Sequence, residues 1–186
     1  MIITGIAPSP RDLHDRNYLP SPELVYLAKL ALKEYQATGL ITSLALGWEQ
    51  ALTKAAIELE IPFTVAIPYP GRDAEWERDA HICYLDLMAR SAEVYRVSEC
   101  RSDTALLEGH YWRVYRADVV LALWEYDFQS EVFSVMNYAT TSGKSVVNLW
   151  EDWQRLYKMR RPVVNYAPKK KKLGAQVFER KSATSL

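Results

Sequence analysis

The segment that most constrains this chain is Val119-Val120-Leu121-Ala122-Leu123. A strand with one wet face alternates apolar and polar residues. This run does not alternate, so both of its faces must be covered. The architecture that covers both is a parallel sheet with helices above and below.

The rest of the chain keeps the matching rhythm of short apolar runs separated by amphipathic stretches. Strands are expected at residues 2–7, 40–46, 63–67, 94–97, 118–124 and 145–149, with a short extra strand at Val163-Val164. Ser21-Pro22-Glu23 reads as a helix start: a hydroxyl cap, proline at the first helical position and an early acid. Leu24, Leu27, Ala28, Ala31 and Leu32 follow at helical spacing, and Gly39 reads as the stop. Further helices are expected over 48–60, 73–91, from a Ser102 cap to about residue 116, over 130–142 with Gly143 as the stop, and over 151–160. The expected fold is therefore α/β, a Rossmann-like three-layer sandwich with a mostly parallel central sheet flanked by helices.

At 186 residues the chain suits one domain, assigned to 1–166, with a basic and flexible tail over 167–186. Net charge is zero, so no overall pull toward nucleic acid or an acidic membrane is expected. The charge is uneven, however. Residues 166–186 carry six Lys/Arg against one acid, including Lys169, Lys170, Lys171 and Lys172. Any nucleic-acid contact is expected only through those lysines. Cys83 and Cys100 are too few for a disulfide framework or a zinc site, and both read as free thiols. No apolar run reaches membrane-spanning length, and no basic segment precedes the first strand, so a cytoplasmic protein is expected.

In open parallel sheets ligands bind beyond the carboxyl ends of the strands, where helix N-termini offer free N–H groups. Four loops qualify here: 5–10, 46–49, 68–76 and 124–131. Gly47 follows a strand directly and lets a ligand approach the backbone; Glu49 enters the helix's first turn and is placed to accept ribose hydroxyls. Glu131 opens the helix after the most apolar strand. A carboxylate there can support an oxocarbenium-like sugar centre or act as a nucleophile. Equally, both acids can be plain helix-start carboxylates. Tyr69, Trp76 and Trp124 are candidates for stacking on a base, against the alternative of core packing. His110 stands out among the histidines because it lies beside Tyr111 and Trp112 in a helix. There is no phosphate-binding Walker loop, no H-E-x-x-H, no G-x-S-x-G and no G-x-G-x-x-G. Neither a cofactor nor a metal is expected.

Read in order over about residues 1–150, the segments resemble the YpsA-like branch of the SLOG superfamily, which includes the DprA core and the LOG-type phosphoribohydrolases. Ile2-Ile3-Thr4-Gly5 is similar to its opening strand and T-G turn. Ser43-Leu44-Ala45-Leu46-Gly47-Trp48-Glu49 is similar to its A-L-G-x-D segment. Ala66-Ile67-Pro68-Tyr69 with Trp76 is similar to its I-P-F stretch and following tryptophan. His110-Tyr111-Trp112 through Asp118 resembles its N-x-W segment, and Leu121 through Trp124, Tyr138-Ala139 and Gly143-Lys144 resemble its last strand–helix–strand. Three departures stand out. Glu49 replaces an aspartate and His110 an asparagine. Ser130-Glu131-Val132 replaces a Gly-Gly-Thr loop whose backbone N–H groups would meet a phosphate. The full P-G-G-x-G-T-x-x-E motif is absent, so phosphoribohydrolase activity is not implied.

The resemblance implies binding or sensing of a nucleotide-related small molecule, without catalysis, by a homo-oligomer. Thr4, Gly5, Gly47, Trp48, Glu49, Pro68, Tyr69, Trp76, His110, Trp124, Ser130 and Glu131 are the expected ligand-binding residues. The residues leave two alternatives open. One is an enzyme that cleaves or transfers at an N-glycosidic bond, with Glu49 or Glu131 as the working carboxylate. The other is an interaction or nucleic-acid-associated module.

Overall fold

The computed structural model describes residues 1–8 and 19–160. Most of the first long loop, the strand expected at Val163-Val164, the boundary at residue 166 and the lysine-rich tail lie outside the described residues.

Strands and helices alternate throughout: β1 (Ile2–Ile6), α1 (Pro22–Glu34), β2 (Gly39–Thr42), α2 (Trp48–Glu58), β3 (Phe63–Ile67), α3 (Arg78–Ala89), β4 (Glu93–Arg96), α4 (Ala105–Arg116), β5 (Val119–Ala122), α5 (Glu131–Thr141), β6 (Ser145–Asn148) and α6 (Trp150–Arg160). The six strands form one sheet in the order β4-β3-β2-β1-β5-β6. Every pairing is parallel. The chain steps outward from β1 to β4, crosses back over the sheet through α4, and steps outward again through β5 and β6. The fold is thus a Rossmann-like α/β sandwich.

The period of the strands divides the core in two. Ile3 of β1 and Val119, Leu121 and Leu123 around β5 face a large core built with Leu24, Leu27, Ala28, Ala31 and Leu32 of α1, Trp48, Ala51, Leu52, Ala55 and Ala56 of α2, Tyr84 and Leu87 of α3 and Trp153 of α6. Ile6, Val120 and Ala122 face the other way, onto Val114 of α4 and Val132, Val135 and Ala139 of α5. All four β5 residues are buried, as their uninterrupted apolar run requires.

Boundaries differ from the sequence reading where a local rule gave way to a longer-range contact. Ser21 caps α1 by accepting from Leu24 N–H, and Pro22 occupies the first position, as expected. The helix ends at Glu34, however, and Gln36 takes the left-handed conformation at φ 49°. Gly39 instead opens β2 opposite Ile2, where a Cβ would lie 2.8 Å from the Ile2 Cδ1. The second strand stops at Thr42 rather than 46, because Leu44 turns to φ 59° and Gly47 to φ 82°. The helix expected from residue 73 begins at Arg78, after turns that carry Tyr69, Arg72 and Trp76.

Candidate functional site

The loops after β1, β2, β3 and β5 and the first turns of α2, α4 and α5 enclose a cleft of about 420 Å3. It is bordered by Ile6, Ala7, Pro8, Ala45, Leu46, Glu49, Tyr69, Arg72, Trp76, Leu106, His110, Ser130, Glu131 and Val132. It sits where the strand order reverses between β1 and β5. The loops leaving those neighbours run to opposite sides of the sheet there, and a crevice opens between them.

Of the twelve residues expected to bind ligand, Glu49, Tyr69, Trp76, His110, Ser130 and Glu131 border this cleft, and Thr4, Gly5, Gly47, Trp48, Pro68 and Trp124 do not. Each of the second group has another place. Trp48 is fully buried, and its Nε1–H donates to the Leu121 carbonyl at 2.9 Å, tying α2 to β5. Gly5 gives that ring room: a Cβ there would lie 2.4 Å from the Leu52 Cδ1 and 3.3 Å from the Trp48 ring. Thr4 is buried and donates to the Ile41 carbonyl. Gly47 supplies the left-handed turn before α2. Pro68 packs against Gly109 of α4, where an added Cβ would meet the proline ring at 2.8 Å. Trp124 lies in an aromatic group with Tyr126, Phe128 and Phe133, and its Nε1–H donates to the Asp127 carbonyl.

The polar side of the cleft is a continuous chain of ionisable groups. Glu49, 3% exposed, turns its carboxylate back toward the end of β2. Its Oε2 accepts from Ser43 N–H at 2.6 Å, Ser43 Oγ–H at 2.8 Å and Thr42 Oγ–H at 3.2 Å. Its Oε1 lies 3.0 Å from Nη2 of Arg113, which is itself 2% exposed. Arg113 also donates through Nη1 to the Gly5 carbonyl at 3.0 Å and to Thr4 Oγ1 at 3.2 Å. Its Nη2 reaches His110 Nδ1, one turn earlier on α4. A guanidinium has no lone pair to offer, so Nδ1 must accept and the imidazole hydrogen resides on Nε2. That Nε2–H faces Glu131 Oε1 at 3.3 Å. Glu131, the first residue of α5, has a side chain 48% exposed and borders the cleft.

These contacts set the charge states. Burial pushes the Glu49 carboxyl up, but Arg113, with Arg72 and the Ser43 N–H, outweighs it and holds the group below its ordinary value. Burial, aided by the Arg113 charge, lowers His110 and keeps it neutral despite its acidic neighbours. The hydrogen bond from His110 lowers Glu131, against partial burial. Both carboxylates are therefore ionised at neutral pH, and the imidazole between them is not. Glu49 has its lone pairs occupied by protein donors. Glu131 is the acid turned to the cleft.

The loop after β3 brings Arg72, Tyr69 and Trp76 to the same cleft. Arg72 Nη1 donates to Ser43 Oγ at 2.7 Å, and among the described residues the guanidinium bonds to Ser43 alone. Trp76 is held edge-on by Tyr84 at 5.3 Å between ring centroids. Arg72 and Arg113 were not singled out from the sequence. The i, i+3 spacing of His110 and Arg113 puts them on one helical face, which is the only trace the sequence offers of their contact. Among the described residues no group of His, Cys, Asp and Glu is arranged to hold a metal ion, and no helix is long and apolar enough to cross a membrane.

No protein-family model matches the chain, and no curated protein does. Solved structures do. DNA processing protein A from Helicobacter pylori, described for its single-stranded DNA binding mode, matches at a TM-score of 0.53 and 17% identity, over 78% of this chain and 63% of that one. The chain thus spans less than two thirds of that protein's length. The molybdenum cofactor carrier protein from Chlamydomonas reinhardtii matches at a TM-score of 0.49 and 16% identity, over 85% of this chain and 82% of its own. The molybdenum cofactor binding protein from Rippkaea orientalis matches at 0.48 and 16%, with the same coverage. At this identity, the likeness to DNA processing protein A establishes the architecture: this chain is built as a Rossmann-like α/β sandwich.

Proposed function

We propose that the chain is a YpsA-like domain of the SLOG type that binds a nucleotide-related small molecule in the cleft at the β1/β5 switch point, without turning it over. The observation that carries this reading is the cleft itself. Its volume of about 420 Å3 falls within the roughly 300–1,000 Å3 of small-molecule sites. It combines two aromatic rings, Tyr69 and Trp76, with an arginine and a carboxylate, Arg72 and Glu131. Flat rings suit a base, and the paired charges suit a polar sugar or anionic group.

The charge states supply an ionised carboxylate but no carboxyl raised to serve as a general acid. Cleavage of an N-glycosidic bond gains from a general acid that delivers a proton to the departing base, and such acids are carboxyls raised toward neutrality. Here both cleft carboxyls are lowered. His110 points its one Nε2–H at Glu131, and its Nδ1 lone pair is taken by Arg113.

The test is calorimetry with nucleosides, nucleoside monophosphates, NAD and ADP-ribose, alongside chromatography for free base. Binding without base release supports the reading. Base release abolished by Glu131→Gln establishes the enzyme instead. Binding only to single-stranded DNA or RNA, lost when residues 168–186 are removed, establishes an interaction module. A homo-oligomer belongs to this proposal. All four residues of the edge strand β4 are exposed, and Val94 and Tyr95 present apolar surface there. Light scattering tests it.

A further inference from the structure

Parallel α/β sheets commonly seat phosphate on the helix N-terminus that faces the switch point, because unpaired N–H groups and the helix dipole favour an anion there. In this chain that terminus belongs to α5, and its own side chains occupy it. Ser130 Oγ accepts from Phe133 N–H at 3.2 Å and donates to the Asp127 carbonyl at 2.6 Å, closing the first turn on itself. Glu131 adds an ionised carboxylate beside it, oriented into the cleft by His110. A second helix start on the cleft, that of α2, likewise carries a carboxylate in its first turn, Glu49. Arg72, on the loop that also carries Tyr69 and Trp76, supplies the cleft's cationic side chain and is joined to Glu49 through the Ser43 hydroxyl.

We infer that the cleft takes a nucleoside-class ligand with hydrogen-bond donors, such as a ribose diol, directed at Glu131, and that it disfavours a phosphate at the tip of α5. This deepens the binding reading above and rests on it. A diol offers two O–H donors to a carboxylate that already accepts one N–H and has lone pairs left for the ligand. A phosphoryl group in the same place would bring like charge against Glu131 in a partly dry site and would find the cap already satisfied. An acidic or acceptor substituent elsewhere on the ligand has Arg72 to meet. His110 acts through Glu131 as a positioning residue: its Nε2–H fixes one carboxylate oxygen and leaves the other turned to the cleft.

The decisive experiment is isothermal titration of the full chain with four ribonucleosides and, separately, their 5′-monophosphates. It is repeated with Glu131→Gln and with the double variant Ser130→Gly/Glu131→Gly. Melting curves for each variant verify the fold. The expected result is a wild-type preference for at least one nucleoside over its monophosphate of about tenfold or more. Glu131→Gln removes most of that preference. The double variant, which bares the helix terminus, inverts it. A wild-type preference for the monophosphate, or a ratio that Glu131→Gln leaves unchanged, overturns this inference and leaves the cleft-binding proposal standing. Failure of both ligand classes to bind the wild type overturns the two together.

Discussion

Replacing Glu49 by glutamine keeps the side-chain volume and leaves an acceptor for Ser43, but it deletes the charge that Arg113 meets at 3.0 Å. Arg113 is 2% exposed, so water cannot take over, and the guanidinium becomes a buried cation without its contact counterion. Removing one partner of such a pair costs about 3–5 kcal/mol. Against a total stability of roughly 5–15 kcal/mol this is a large fraction. At ~2–4 °C per kcal/mol for a chain of this size, the melting temperature falls by roughly 6–20 °C. Arg113→Met creates the opposite orphan, a carboxylate that keeps its donors from Thr42 and Ser43, and is expected at the lower end of the same range. The double variant Glu49→Gln/Arg113→Met contains neither charge. Its loss is expected to fall short of the sum of the single losses by about 2 kcal/mol or more. Urea unfolding followed by tryptophan fluorescence measures all four proteins. Single losses below about 1 kcal/mol, or a double variant equal to the sum, would refute the reasoning.

The same network makes the fold acid-sensitive. His110, Glu49 and Glu131 are all held below their ordinary values, so the unfolded chain binds more protons at each as the pH drops, and stability falls with it. The loss from His110 begins below its ordinary 6.5 and that from the carboxyls below 4.5, each complete once the pH has passed the lowered folded value. His110→Gln is expected to flatten the upper part of this decline in urea midpoints taken from pH 7 downward, and parallel curves would contradict it. Gly5→Ala places a methyl between Leu52 and Trp48 and is expected to cost about 1–3 kcal/mol in the same unfolding assay; an unchanged midpoint would show that α2 can shift. Trp76→Ala is expected to weaken ligand binding about tenfold or more in calorimetry and to lower stability less than loss of a fully buried tryptophan would, since the ring is only partly buried.

The layering of this fold was legible because it is written in local patterns. The unbroken apolar run of β5 required two covering layers, and Ser21-Pro22 and Ser130 marked helix starts that the structure keeps. The loop cluster was legible too, since chain connectivity alone puts the strand tips on one side. What the sequence hid was which polar residues turn inward. Glu49 reads as an ordinary first-turn acid, and its burial depends on Arg113, which lies far along the chain on another helix. Trp48 and Trp124 offered the same aromatic surface as Trp76. One is held in the core by the Leu121 carbonyl and the other by a local aromatic group, contacts that only the folded chain makes. Gly39 and Leu44 show the limit in the backbone: left-handed positions fell to Gln36 and Leu44 in this chain, where glycine was the natural expectation.

The account stands on the cleft being a place where a small molecule rests. Backbone and indole NMR of the isotope-labelled chain, titrated with ribonucleosides and their monophosphates, tests this directly. The expected shifts are saturable and centre on the Trp76 indole, Leu46, His110 and Glu131, leaving the Trp48 indole, fully buried and bonded to the Leu121 carbonyl, little changed. Spectra that no member of the panel perturbs, or shifts that gather away from the β1/β5 tips, would contradict it.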